Sequence, residues 1–424
     1  MKRVSLLLCL LLILSLFGGC SAGTQTDTAT DLQPEVLNVY NWGVYMEIGE
    51  EDQSLDVNAA FEQWYKQTYG REITVNYTTY ENNEVMYQKL VAGGAEYDIV
   101  IPSDYMIDRM IKEDLLEKLD FANIPNYQNI DDQFKDDSWQ YDPTGEYSVP
   151  YMWGYLVLVY NTDHVDAAKV NKWDVLWDET YKGKILMFNN PRDTFAIALA
   201  KNGFSLNTTD AGEWEEAYQD LVAQKPLVQS YVTDEIFDKM QNGEAYIAPC
   251  YYGDFLVMQE EAADGVNLEC GFIQGQTTNK YLDAMCVPKG CQNKFAAEAY
   301  INFMCSYEAG VTNANYTGYS SPLKNITDRE DYDYADLPSL YPADTGHMEE
   351  YRYLGPGVQT VMDNYWKNLK QNEGSVWMYI ILVLVVLLVV GAVIYNKQVQ
   401  KRRERLQKAA REKFSLQEKM AKKS

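Results

Sequence analysis

The sequence predicts an α/β protein built of two lobes, and three observations predict it. Strand-like alternation and helix-like apolar spacing follow one another along residues 37–112, and the same succession restarts near residue 184. Roughly 340 residues lie between a polar N-terminal stretch and an apolar C-terminal one, too many for one ordinary core and suited to two.

Residues 37–45 alternate as a half-buried strand and run out into Gly43 flanked by Trp42 and Tyr45. A helix over 56–68 buries Val57, Ala60, Phe61 and Trp64 and stops at Gly70, and a strand occupies 73–77. A helix over 83–92 ends at Gly93-Gly94, the apolar run 98–102 is a strand, and a further helix starts near Asp104. This succession of strands and helices implies parallel sheet with helices on both faces. Residues 126–145 are polar and turn-rich, and 147–160 read as extended chain leaving the first lobe. The second run takes a strand at 184–188, helices at 193–201 and 213–223, a strand at 227–231, a helix at 234–242 and a strand at 245–250. A strand at 282–287 and a helix at 295–306 come next.

Both termini read as addresses rather than fold. Lys2-Arg3, the apolar run 4–17 and Gly18-Gly19-Cys20 make a secretory signal over residues 1–20, with Cys20 placed as in a bacterial lipobox for lipidation. Residues 21–35, rich in Thr, Ser, Gln and Asp, form a flexible tether. Residues 376–395 carry no charge and are long enough for a transmembrane helix, with Trp377, Tyr379 and Tyr395 suited to the two interfaces. The tail 396–424 holds eleven basic and three acidic residues, so the positive-inside rule makes it cytoplasmic and puts the preceding domain outside, at the outer face of the cell membrane. The whole chain carries −26, and with the basic tail set apart the external part is more acidic still. Such a surface disfavours nucleic acid and acidic substrates and draws in cations.

Catalytic signatures are missing. His164 and His347 stand in polar connecting segments without a metal-binding partner pattern, and there is no nucleophile elbow, Walker loop or dinucleotide fingerprint. With Cys9 in the signal and Cys20 at the lipid site, Cys250, Cys270, Cys286, Cys291 and Cys305 remain, an odd number in no zinc or redox spacing. At least one of these thiols stays free or pairs between chains, no disulfide is assigned, and no cofactor or metal is expected.

Several strand ends instead place aromatic and acidic residues together. Trp42 and Tyr45 follow the first strand, Ser103 and Tyr105 the strand 98–102, and Asn190 and Asp193 the strand 184–188. Tyr251 and Asp254 follow the strand 245–250, Tyr281 and Asp283 stand at the start of the next, and Tyr319 lies in a Gly-Tyr-Ser-Ser-Pro turn. In open α/β sheets ligands sit beyond the carboxyl ends of strands, so two lobes would direct these residues into one cleft. Aromatic faces over methylenes and ammonium groups contribute about 0.5–2 kcal/mol each, and carboxylate–ammonium hydrogen bonds about 1.5–3 kcal/mol. The cleft therefore suits an extended aliphatic cation.

The segments Tyr40-Asn41-Trp42 to Tyr45, Tyr80 to Tyr87, Tyr97 to Ser103, Val149 to Gly154 and Trp173 to Gly183 resemble the spermidine/putrescine-binding proteins of ABC importers, a likeness running from about Leu37 to Leu369. The resemblance implies a two-lobed periplasmic-binding-protein-like fold (type II) that closes on its ligand about a hinge. Lobe 1 would take residues 36–155 and 283–325, and lobe 2 residues 156–282 and 326–372. It places Trp42, Tyr45, Ser103, Tyr105, Tyr251, Tyr281 and Tyr319 around the polyamine chain, with Asp193 and Asp283 as amine-binding carboxylates and Asp254 as in the putrescine-preferring branch. Gly43 stands where the family commonly has Thr or Ser, Tyr251 where Trp is frequent, Asn190 where spermidine binders have an acid, and Arg352 near a position that can be Gln. Expected partners are a polyamine, putrescine or spermidine, an ABC transporter permease, and the membrane through the lipid, the C-terminal helix or both. The chain is expected to act as a monomer. The alternatives are a membrane-anchored sensory receptor for a cationic amine and a binding protein for a different small solute.

Overall fold

The computed structural model describes residues 34–49, 54–93, 96–135, 140–343 and 345–371, and beyond them 383–391 with 395, 397, 401 and 408. The expected signal, Cys20 and nearly all of the tether lie outside the described residues, as does most of 372–424.

Strand β1 (Glu35–Trp42) pairs in parallel with β2 (Ile73–Tyr80) and β3 (Ile99–Val100). Between them, Asp56 accepts from the Ala59 N–H at 2.9 Å to open α1 (Val57–Tyr69), and Gly70 closes that helix at φ 67°, a left-handed conformation glycine adopts without strain. Asn82 likewise accepts from the Val85 N–H at 3.0 Å to open α2 (Asn83–Ala92), and α3 (Asp104–Lys112) follows β3. Helix α1 buries Val57, Phe61 and Tyr65, while the expected Ala60 and Trp64 are only half-buried beside them.

The chain leaves this lobe along β4 (Ser148–Asn161), buried at all 14 positions. The second lobe sets β5 (Ile185–Phe188) in parallel between β6 (Val228–Val232) and β7 (Ile247–Tyr251). Helices α4 (Pro191–Lys201) and α5 (Ala211–Gln224) connect β5 to β6, and α6 (Glu235–Gln241) precedes β7. After α7 (Tyr252–Glu260) and β8 (Leu268–Gly271) the chain returns along β9 (Thr278–Cys286) to α8 (Lys294–Met304) and α9 (Tyr307–Thr317). A short β10 (Met348–Glu349) pairs with β9, and α10 (Gly355–Gln371) packs on α4 and α5.

The strand order is β2-β1-β3-β9-β4-β7-β5-β6. The expected parallel sheet is therefore mixed, because β9 brings the chain back through the sheet that β4 left by and lies antiparallel to both β3 and β4. Ser148–Tyr155 pair with β9, and Leu156–Tyr160 pair with β7, so β4 belongs to both lobes. Pro150 stands in this central strand at a register shift, as expected of a residue that lacks the N–H a regular ladder needs. Strand β9 starts at Thr278 rather than near 282, since its polar first residues pair with β4 and β10 instead of forming a loop. Helices α7, α9 and α10 were not expected from the sequence.

The segment after β10 also bridges the lobes. Glu349 accepts from the Ser205 hydroxyl at 2.7 Å, the Arg352 N–H donates to Asn207 Oδ1 at 2.9 Å, and the Tyr353 N–H donates to Asp108 Oδ2 on α3 at 3.2 Å. Cys250, Cys270, Cys286, Cys291 and Cys305 are all free thiols. Residues 383–391 are helical and exposed, and the remainder of the expected span 376–395, apart from 395, lies outside the described residues. Among the described residues no helix is long and apolar enough to cross a membrane.

In the second lobe Trp214 is 1% exposed, its ring 5.4 Å from that of Phe195, and its indole N–H donates to the Thr208 carbonyl at 2.9 Å. Trp214→Ala leaves a cavity and an unfed carbonyl, and is expected to lower unfolding stability by about 3–5 kcal/mol, read as an earlier urea midpoint; an unmoved midpoint contradicts this packing.

Candidate ligand-binding cleft

The carboxyl ends of the strands from both lobes meet at one place. Trp42 ends β1, Ser103 and Tyr105 follow β3, Phe188 ends β5, and Tyr251 ends β7 just before Asp254, while Tyr281 and Asp283 project from β9. They enclose a cavity of about 950 Å³ that is open at its mouth. Trp42, Tyr45, Ser103, Tyr105, Asp193, Tyr251, Asp254, Tyr281, Asp283 and Tyr319 all line it.

Four tyrosine rings form the centre. Tyr45 meets Tyr319 edge to face with centroids 5.1 Å apart, Tyr251 meets Tyr281 in the same way at 5.1 Å, and Tyr281 and Tyr319 close the box at 6.1 Å. Two glycines make room for it. A Cβ on Gly253 would lie 2.2 Å from Tyr319 Cδ2, and one on Gly154 would lie 2.5 Å from the Tyr281 hydroxyl. Trp42 stands at one end against Tyr80, its indole N–H donating to the Ile101 carbonyl at 2.9 Å. Tyr45 is buried, and Tyr281 lies well inside β9, whose first residue is Thr278.

Each aspartate receives hydroxyl donors but no ion pair among the described residues. Asp283 Oδ2 accepts from Tyr45 at 2.6 Å, while its buried Oδ1 has no partner among the described residues. Asp254 Oδ1 accepts from Tyr319 at 2.7 Å. Asp193 accepts from Tyr251 at 2.7 Å, from Tyr351 at 2.9 Å and from Asn190 Nδ2 at 2.7 Å. Asn190 also caps α4 through the Arg192 N–H at 2.9 Å, so the same residue starts the helix and orients its carboxylate. Burial pushes Asp283 up to about 6, against the opposing pull of Ser103 and then Tyr45, pushes Asp254 up to about 7 against that of Tyr319, and raises Asp193 as well. Burial holds the Tyr45, Tyr251, Tyr281 and Tyr319 hydroxyls well above the usual phenol range, so they remain donors.

Ser103 and Tyr105 are fixed from α2. Asn83 Nδ2 donates to the Ser103 hydroxyl at 3.0 Å, and Tyr105 donates to Glu84 at 2.9 Å. Arg352 lies outside the cavity, in a separate crevice. The buried cation behind the site is Arg192, whose guanidinium lies 4.0 Å from the Tyr351 ring and donates to the Leu206 carbonyl and Asn207. Among the described residues no three His, Cys, Asp or Glu converge as a metal site. Sequence reasoning missed Tyr80, Phe188, Asp234 and Tyr351, which also line the cavity. Phe188 ends a strand that the sequence did mark, whereas Tyr351 comes from an irregular segment with no periodicity to place it.

Two lobes joined by shared strands around an acidic, aromatic cleft define a solute-binding protein. The chain belongs to the bacterial extracellular solute-binding proteins, whose family profile matches residues 59–341. It is 32% identical over 358 residues to a spermidine/putrescine-binding periplasmic protein of Salmonella typhimurium, covering 83% of this chain and 96% of the relative. It is 27% identical to a putrescine-binding periplasmic protein of Pseudomonas aeruginosa over 83% of this chain and 96% of that one. The crystal structure of a spermidine/putrescine ABC transporter substrate-binding protein from Streptococcus pneumoniae superposes with a TM-score of 0.62 at 32% identity, covering 80% of this chain and 99% of that one.

Carboxylates raised by burial bind more protons in the folded chain than in the unfolded one between their two pKa values, so they lower stability as pH rises through that window. Asp254→Asn is therefore expected to raise the melting temperature of the ligand-free protein at about pH 8 more than at about pH 5. An equal shift at both would mean that Asp254 is not charged at a cost.

Proposed function

We propose that this chain binds a polyamine, putrescine or spermidine, outside the cell and delivers it to the permease of an ABC importer, without catalysing a reaction. The observation that carries the reading is a buried carboxylate oxygen, Asp283 Oδ1, unpartnered among the described residues and facing a box of tyrosine rings. Asp193, Asp254 and Asp283 have no ion pair among the described residues; Arg192 donates to the Leu206 carbonyl and Asn207 and reaches Asp193 only through its field. A ligand carrying ammonium groups would supply the missing charge. Two or three charged hydrogen bonds with aromatic contacts suffice for micromolar binding, about −8 kcal/mol, after ordering costs. The relatives named for putrescine and spermidine support the same class.

We take lobe 1 as residues 36–155 with 283–325 and lobe 2 as 156–282 with 326–372. The chain would act as a monomer, held at the outer face of the cell membrane by a lipid on Cys20, by residues 376–395 as a membrane helix, or by both, with the tail 396–424 cytoplasmic. The composition of these segments supports that reading.

Titration calorimetry with putrescine and spermidine, against neutral and anionic controls, should show heat for the polyamines alone; flat traces for both remove the proposal. Asp283→Asn is expected to weaken binding by about 1.5 kcal/mol or more. Because Asp254 at about 7 and Asp283 at about 6 must be ionised to pair with ammonium, affinity should fall as pH drops through that range, with protons released on binding. Calorimetry in buffers of different ionisation enthalpy reads that release, and a heat independent of buffer near neutral pH contradicts it.

A further inference from the structure

Asp234 links the two lobes in an unusual way. It stands between β6 and α6, at the position that opens α6, yet its side chain makes no capping bond. The neighbouring Glu235 instead accepts from the Thr233 N–H at 3.0 Å. The Asp234 carboxylate reaches across the cleft to Gly43 of the first lobe, where a Cβ would lie 2.3 Å from Asp234 Oδ2. The absent side chain at position 43 is thus the seat of a carboxylate from the opposite lobe.

This carboxylate, on a solvent-exposed residue, lines the cavity, and no hydrogen bond or ion pair holds it among the described residues. Partial burial raises it, followed by the field of its neighbour Glu235 and then that of Glu81 from the first lobe, and its own field acts on Asp254. Tyr281, a residue 4% exposed, completes the neighbourhood: burial raises its hydroxyl most, and it lies in the field of Asp254 first and of Asp283 and Asp193 after it, beside Tyr319. Elsewhere in the cleft Asp283 lies in the field of Asp193. Asp234 thus shares the second lobe and the cavity with Asp254, and it alone of these acids is met by Gly43 from the first lobe.

We propose that Asp234 contacts the ligand directly, forming with Asp254 and Tyr281 of its own lobe the second of two ammonium sites, which Gly43 of the first lobe meets on closure by providing the seat of Asp234. The proposal rests on the polyamine reading and deepens it: the substrate is a molecule with amines at both ends, and the lobes close fully only when a cation occupies the Asp254 end. Without that cation, Asp234 and Asp254 repel each other, and closure brings Asp234 toward Glu81.

Calorimetric titration of the full chain with putrescine tests it. Asp234→Asn should weaken binding about tenfold, the loss of one charged hydrogen bond, whereas Glu235→Gln, the same charge change one residue away, should alter it less than about twofold. In a Gly43→Ala background the seat is filled, so adding Asp234→Asn should cost less than about twofold, a non-additivity that a diffuse field effect does not produce. Wild-type binding with an unchanged affinity in Asp234→Asn, or with equal losses in Asp234→Asn and Glu235→Gln, overturns the proposal alone. A wild-type chain that binds neither putrescine nor spermidine overturns it together with the polyamine reading.

Discussion

Two buried strands that run through both lobes are the constraint on which the rest of the molecule depends. β4 and β9 lie antiparallel, each pairing with the other and with strands of the lobe sheets. Any relative motion of the lobes must bend these strands rather than slide past them, since sliding would break a ladder buried at every position of β4. Tyr281 and Asp283 project from β9 at this crossing, and Gly154 on β4 leaves space for the Tyr281 hydroxyl. Ligand contacts and the bending element are thus the same few residues, which is how occupancy can bias closure.

The electrostatics of the cleft have a consistent sign. Tyrosine hydroxyls feed Asp193, Asp254 and Asp283, and each hydroxyl orients a carboxylate without neutralising it. Burial therefore destabilises the ionised form of all three acids. An arginine in the box would cancel that charge, and Arg192 is instead turned behind Tyr351 to satisfy the Leu206 carbonyl and Asn207. The polar groups of the cleft are under-satisfied by the protein's own described residues in a way that a cationic solute corrects and an anion would worsen.

Much of this was legible because strand ends carry local signals. The apolar runs that became β1, β3, β5 and β7 were marked by alternation and by flanking glycine or proline, and the aromatic and acidic residues just beyond them reach the cleft as expected. Helix α2 was placed at both ends because Asn82 caps it and Gly93 ends it. The rest depended on partners distant in sequence. The early start of β9 depends on β4 and β10, and Tyr351 reaches the cavity only because Asn207 and Asp108 hold its segment across the lobes. Asp234 looked like an ordinary helix opener, and nothing local distinguishes an acid that caps its own helix from one that crosses to Gly43. The two glycines that admit the tyrosine rings were equally silent, since their role is an absence felt only by side chains far along the chain.

The segment fastened to Asn207 on one side and to Asp108 on the other has a mechanical consequence. Its anchored backbone groups, on Arg352 and Tyr353, are adjacent in the chain, and even the three residues from Tyr351 to Tyr353 stretch to only about 10 Å. While those bonds hold, they act as a check-strap on how far the two lobes can part along this edge.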